Sequence, residues 1–125
     1  MKLFSRIFRR KSNYSVPPIP SRETVVEMMY DKQLDAFADE VTDVIYSADK
    51  SMRYVILKDE KGLFTYRLEE IYQFEEDEWN YIYSHEHPLP AVWEPFRGIV
   101  GISFFENTEE LLKEMKTQPE YKLYF

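Results

Sequence analysis

The sequence predicts an α+β domain: a small antiparallel sheet, a three-strand meander plus one or two further strands, with helices packed on one face. Three observations carry that expectation. Apolar residues recur with period two between residues 41 and 74, the spacing that turns one side of a strand to a core. Short polar segments, Asp49-Lys50-Ser51 and Glu60-Lys61-Gly62, divide that stretch into hairpin-sized runs. On both sides of it the spacing changes to that of amphipathic helices.

Ser21 suits a helix N-cap and stands just before the acidic Glu23. Val26, Met29, Tyr30, Leu34 and Phe37 continue at helical spacing, so a helix is expected over 22–38, with a break near Asp31. VTDVIYSA (41–48), MRYVILKD (52–59) and LFTYRLEEIYQF (63–74) are rich in β-branched and aromatic residues and form the meander. In the third run Phe64, Tyr66, Leu68, Tyr72 and Phe74 share a face with Glu70. A carboxylate there marks a bulge or has a partner. Glu75-Glu76-Asp77-Glu78 precede Trp79, Tyr81, Ile82 and Tyr83. Acids in a first turn complement the helix dipole, which predicts a short helix near 75–84. A short strand is expected around Ala91–Trp93, and GIVGISFF (98–105) reads as a buried strand. Asn107 and Glu110 form a capping-box pattern for a helix whose apolar face is Leu111, Leu112 and Met115. Lys113 and Lys116 suit its C-terminal end, and Pro119 is expected to stop it. Residues 121–125 are too apolar for a free tail.

The chain of 125 residues is one domain's worth. Its division is one of charge. Residues 1–22 hold six of the 16 basic side chains and no acid, which leaves ten basic against 23 acidic residues in the rest, a balance of −13. We therefore separate residues 1–20, a basic amphipathic arm with a proline-rich linker, from residues 21–125, a single acidic domain. On a helical wheel Leu3, Phe4, Ile7 and Phe8 share one face, while Arg6, Arg9, Arg10 and Lys11 take the remainder. Such an arm suits an anionic membrane surface or another anion. It equally suits a presequence, or a tail that settles on the acidic body. Pro17, Pro18 and Pro20 make a semi-rigid spacer.

Several function classes are excluded or weakened. The chain has no cysteine, which removes disulfides, thiolate metal sites and thiol catalysis. Three glycines, Gly62, Gly98 and Gly101, are too few and too scattered for a phosphate-cradling loop. The longest apolar stretch, Gly98–Phe105, is eight residues, against about 20 for a membrane-spanning helix. An acidic body repels nucleic acid. The two histidines, His85 and His87, stand in one tripeptide and could share an ion, yet no further ligands are evident. No catalytic residue, metal or cofactor is assigned.

Two functional readings remain. The first is a non-catalytic protein-binding or regulatory module, an immunity-type inhibitor or a membrane-surface adaptor. Trp79, Tyr81, Tyr83 and Trp93, rimmed by Glu75 and Glu78, would meet a protein with a basic face. The second is a small hydrolase or ligand-binding domain with a pocket between sheet and helices, lined by Glu70 or the His85/His87 pair. The cysteine-free composition fits a cytoplasmic protein, with the arm as its contact to a membrane periphery.

Overall fold

A computed structural model describes residues 16–85, 89–98 and 103–125. Helix α1 (Arg22–Met29) leads into an antiparallel sheet of β1 (Glu40–Tyr46), β2 (Met52–Lys58), β3 (Phe64–Gln73) and β4 (Ala91–Pro95), in that spatial order. Helix α2 (Glu76–Ser84) connects β3 to β4, and α3 (Thr108–Met115) and α4 (Pro119–Tyr124) end the chain. No helix among the described residues is long and apolar enough to cross a membrane. The expected meander is present, with Ala91–Pro95 as its fourth strand.

Local chemistry sets the turns. The Asp49 carboxylate accepts hydrogen bonds from the Ser51 N–H, the Ser51 hydroxyl and the Ser47 hydroxyl, which lets Lys50 take a left-handed conformation. The Asp59 carboxylate does the same for the N–H groups of Lys61 and Leu63, while Gly62 supplies a positive φ of 84°. With both turns set, Lys58 pairs with Phe64 and the register runs unbroken to Met52 opposite Glu70.

That register fixes two faces. Adjacent strand residues point to opposite sides, so Tyr54, Ile56, Tyr66 and Leu68 share one face, and Arg53, Glu69, Ile71 and Trp93 share the other. On the first face, Tyr54 and Ile56 form a buried cluster with Leu111 and Met115 of α3, against which Tyr121 and Phe125 pack. On the second, Ile71, Ala91 and Trp93 pack on Val25 and Met29 of α1. The helices thus cover both faces, where one was expected. The reason lies in β2, where Met52 to Leu57 are all buried, as a strand is when its sheet is covered on two sides.

The second face also buries an ion pair. Arg53 has no exposed surface. Its Nε donates to Glu69 Oε1 at 2.8 Å and its Nη1 donates to the Lys32 carbonyl at 2.9 Å. Its guanidinium lies 4.1 Å from the centre of a Trp93 ring. Trp93 donates its indole N–H to the Met29 carbonyl, and its backbone N–H on the edge strand is met by the Gln33 side chain. Strands β2, β3 and β4 are thereby tied to the end of α1.

Local expectations fare unevenly. The break expected near Asp31 is present, since Asp31 and Gln33 both have positive φ; the helix ends at Met29, and the segment beyond the break forms only a 3-10 turn, Leu34–Ala36. The helix that Asn107 caps ends at Met115, ahead of Pro119 as expected, and Pro119 itself occupies the first turn of α4, where its missing N–H costs no bond. Gly98 closes a 3-10 turn rather than opening a strand, Ser103 and Phe104 are exposed, and only Phe105 pairs, through a single bridge to Phe64; residues 99–102 of that run lie outside the described residues. The proline spacer is tied down from residue 17, since Pro17 and Pro20 carbonyls accept bonds from Trp79 Nε1 and Gln73 Nε2. The arm residues Leu3, Phe4, Arg6, Ile7, Phe8, Arg9, Arg10 and Lys11 lie outside the described residues.

The Asp49 carboxyl is held below its ordinary range, first by the Ser51 N–H and then by the Ser51 hydroxyl. A depressed folded-state pKa contributes stability above the unfolded value and loses it as pH falls through the folded one. Asp49→Ala should cost about 1 kcal/mol near neutral pH, and less with increasing acidity. Thermal unfolding of both proteins from neutral pH downward checks this; a constant difference at all pH values would contradict it.

Candidate functional site

Two regions hold groups able to meet a partner or ligand. The first is α2. Glu75, Glu76, Asp77 and Glu78 are all exposed at its start. The Glu78 carboxylate accepts from the Glu75 N–H at 2.9 Å and from the Tyr72 hydroxyl at 2.7 Å. Those two bonds, the backbone one first, hold Glu78 below the ordinary carboxyl range. In return the Glu78 bond pushes the Tyr72 phenol up to about 12. Tyr81, one turn on from Asp77 and Glu78, is 67% exposed. Its ring lies 4.5 Å from that of His85, whose Nδ1 is 2.9 Å from the Tyr81 carbonyl. A carbonyl only accepts, so Nδ1 is the donor in that bond.

The four aromatics expected to share a contact surface separate. Trp79 and Trp93 are buried. Their indole N–H groups are used internally, on Pro17 and Met29. Tyr83 is half-buried beside Trp79, with ring centres 5.2 Å apart. Tyr81 alone of the four faces solvent, with Glu75 and Glu78 nearby in sequence and exposed. Phe96, which continues the aromatic series, is buried.

The second region is a cavity of about 350 Å³ between the sheet and the C-terminal helices. Tyr54, Tyr66 and Leu68 supply its sheet wall, Phe96 another side, and Glu114, Gln118 and Glu120 the helical side. The Tyr54 side chain is fully buried and its hydroxyl has no hydrogen-bond partner. Burial raises its phenol above the ordinary tyrosine range, and Tyr66, Glu120 and Tyr121 raise it further. Tyr66 is raised by burial, then by Glu114 and Glu120.

Glu70 does not line this cavity. Its strand has no bulge, and its Oε2 accepts the Arg97 N–H at 2.9 Å. The partner that an inward Glu70 requires is thus a backbone amide. The carboxylate with a buried guanidinium partner is its neighbour Glu69, which sequence reasoning passed over. Glu86 and His87 lie outside the described residues. Among the described residues no three of His, Asp and Glu are grouped to hold a metal ion.

Comparisons with family models, curated proteins and solved structures found no match.

The Tyr72–Glu78 bond gives a direct spectroscopic test. Glu78→Gln removes the charge that disfavours the phenolate, so the Tyr72 pKa should fall from about 12 toward the ordinary value of 10.0. NMR titration of carbon-labelled tyrosine, with Tyr72→Phe for assignment, reads it. An unmoved titration would mean that the bond is not made in solution.

Proposed function

We propose that the chain is a non-catalytic module that binds a partner protein with a basic face, through the acidic and aromatic surface of α2. The single observation behind this reading is the exposed Tyr81 on the same helical turn as Asp77 and Glu78, beside Glu75 and Glu76. A tyrosine supplies contact area at low entropic cost, and surrounding carboxylates steer and orient a cationic partner. The charge balance of −13 outside residues 1–22 extends the same field over the rest of the body. An immunity-type inhibitor of a cationic protein is one form of such a module.

The basic arm is a separate proposal. Residues 1–11 carry five of the chain's basic side chains with Leu3, Phe4, Ile7 and Phe8 between them. Each basic residue contributes about 1 kcal/mol at an anionic membrane, screened by salt. The arm would then act as a reversible tether to the membrane periphery, and the acidic body would be presented to its partner there.

The cavity favours a second reading, that of a ligand-binding domain. A hydrolase has less support, because Glu70, the lone acid considered for it, is engaged with the Arg97 amide away from the cavity.

Affinity capture from cell extract tests the docking reading, with the full chain, a Glu76→Lys/Asp77→Lys/Tyr81→Ala variant and a chain lacking residues 1–11. A cationic protein retained by the full chain at low salt should be released at high salt. The triple variant should retain at least about tenfold less, a loss of about 1.4 kcal/mol. Deletion of the arm should leave capture unchanged but abolish sedimentation with anionic vesicles. Equal capture by the triple variant, or no retained cationic protein, would overturn the reading.

A further inference from the structure

We propose that residues 1–11 dock on the chain's own sheet, on the part of its first face formed by Glu70, Tyr72, Val92 and Glu94, and that an anionic membrane competes for them there. The docking is independent of the partner-binding reading, which uses Glu76, Asp77 and Tyr81. The competition rests on the membrane reading of the arm.

This part of the face has no place in either core. Register sets Tyr72 opposite Val92 and Glu70 opposite Glu94, and alternation puts all four on the side of Tyr66 and Leu68. All four are half-buried, as is Phe74, whose ring centre lies 5.8 Å from that of Tyr72. Tyr72, Phe74 and Val92 belong to neither hydrophobic cluster, nor to the side chains packed against them. Three apolar side chains and two carboxylates thus share one reachable surface.

Charge selects a cationic occupant. Glu70 and Glu94 stand directly opposite each other, an arrangement of like charges that destabilises a sheet. Glu70 accepts the Arg97 backbone N–H, but the Arg97 guanidinium lies 4.9 Å from the centre of the Phe96 ring. Neither carboxylate has an ion-pair partner among the described residues. The Tyr72 phenol is pushed up first by its bond to Glu78, then by burial and by the charges of Glu78, Glu75 and Glu94. Carboxylates therefore approach its ring from both α2 and β4. A cationic segment with apolar side chains turns this repulsion into attraction and covers the rings as well.

Reach selects the arm. The Pro17 and Pro20 carbonyls accept bonds from Trp79 Nε1 at 2.8 Å and from Gln73 Nε2 at 3.0 Å. Both donors adjoin the surface: Gln73 lies between Tyr72 and Phe74, and Trp79 follows Glu78, whose carboxylate accepts the Tyr72 hydroxyl at 2.7 Å. The described chain starts at Val16, one residue before the first of these anchors. Residues 12–15 span about 13 Å when extended, so residues 1–11 are delivered beside Tyr72. Their five basic side chains suit Glu70 and Glu94, and Leu3, Phe4, Ile7 and Phe8 suit Tyr72, Phe74 and Val92. A short linker gives an effective concentration in the millimolar range, so contacts too weak to hold a separate peptide suffice. The same side chains cannot lie on the sheet and on a membrane at once. Docking therefore lowers the apparent affinity for anionic vesicles to the extent that it depletes the free arm.

A nitroxide on full-length Ser5→Cys, which introduces the only thiol of the chain, reads the docking by NMR. At low salt and without vesicles, amides of residues 70–75 and 91–95 should broaden. High salt should remove most of that broadening, and so should Arg9→Glu/Arg10→Glu, which keeps the tether. A mixture of tagged, unlabelled chain with untagged, isotope-labelled chain should show none. Sedimentation with phosphatidylcholine–phosphatidylserine vesicles reads the competition. Glu70→Gln/Glu94→Gln should bind them at least about threefold more tightly than the unaltered chain. Glu27→Gln/Glu60→Gln removes the same charge from exposed sites elsewhere and should not. Broadening confined to residues 16–20 and Trp79, broadening that survives the charge reversal, or broadening in the mixture would overturn the docking. Equal vesicle binding by the two Glu→Gln pairs would overturn the competition. If no chain sediments, the membrane reading fails and the competition with it, while the broadening still decides the docking.

Discussion

Arg53 is the constraint around which the second face of the sheet is organised. A guanidinium buried near the start of an interior strand is costly to desolvate. It is tolerated here because a carboxylate, a carbonyl and an aromatic ring each take part of it: Glu69 from β3, Lys32 from the turn after α1, and Trp93 from β4. One bond site, Nη2, remains without a partner. The arrangement demands that β3 pair with β2 in one register, since a one-residue slip would send Glu69 to the opposite face. It also demands that the chain after Met29 turn sharply enough to bring the Lys32 carbonyl inward, and the left-handed residues Asp31 and Gln33 make that turn. The turn that ends α1 and the packing of the second face thus meet at the same residue.

The opposite face obeys a simpler rule. Tyr54 and Ile56 are covered by Leu111 and Met115, and the last residues, Tyr121 and Phe125, close over the Tyr54 ring at 6.2 and 4.8 Å between centres. This cover is made of two short helices instead of one long one. Their meeting at Gln118–Pro119 leaves the gap in which Glu114, Gln118 and Glu120 face Tyr54 and Tyr66. The cavity is a by-product of how the chain turns there, and its polar lining is what gives it chemical character.

Much of this was legible in the residues. The change to period two at residue 41, the acidic turn residues and the caps Ser21 and Asn107 locate most elements, because each acts over a few positions. Glu69 was harder. Alternation groups it with Thr65 and Arg67, residues that read as facing water, and only counting outward from the Asp59–Leu63 turn places it opposite Arg53. That count was possible from sequence, and an arginine inside MRYVIL was the reason to make it. The separation of Trp79 and Trp93 from Tyr81 was not legible. Each indole is buried by a carbonyl 62 or 64 residues away along the chain, and no local pattern reports such a contact. The cavity was illegible for the same reason, and Pro119, which follows the end of one helix as expected, gave no sign that it also begins the next.

The account turns on whether Arg53 and Glu69 depend on each other. Urea unfolding of the full chain, Arg53→Met, Glu69→Leu and the double variant forms a cycle that measures this. Removing one member leaves the other charged and buried, which costs about 3–5 kcal/mol. The double variant replaces the pair by apolar side chains and should regain most of that loss. A double variant that loses the sum of the two single losses, to within about 0.5 kcal/mol, would show that the pair is not coupled and that the sheet's second face is organised by something else.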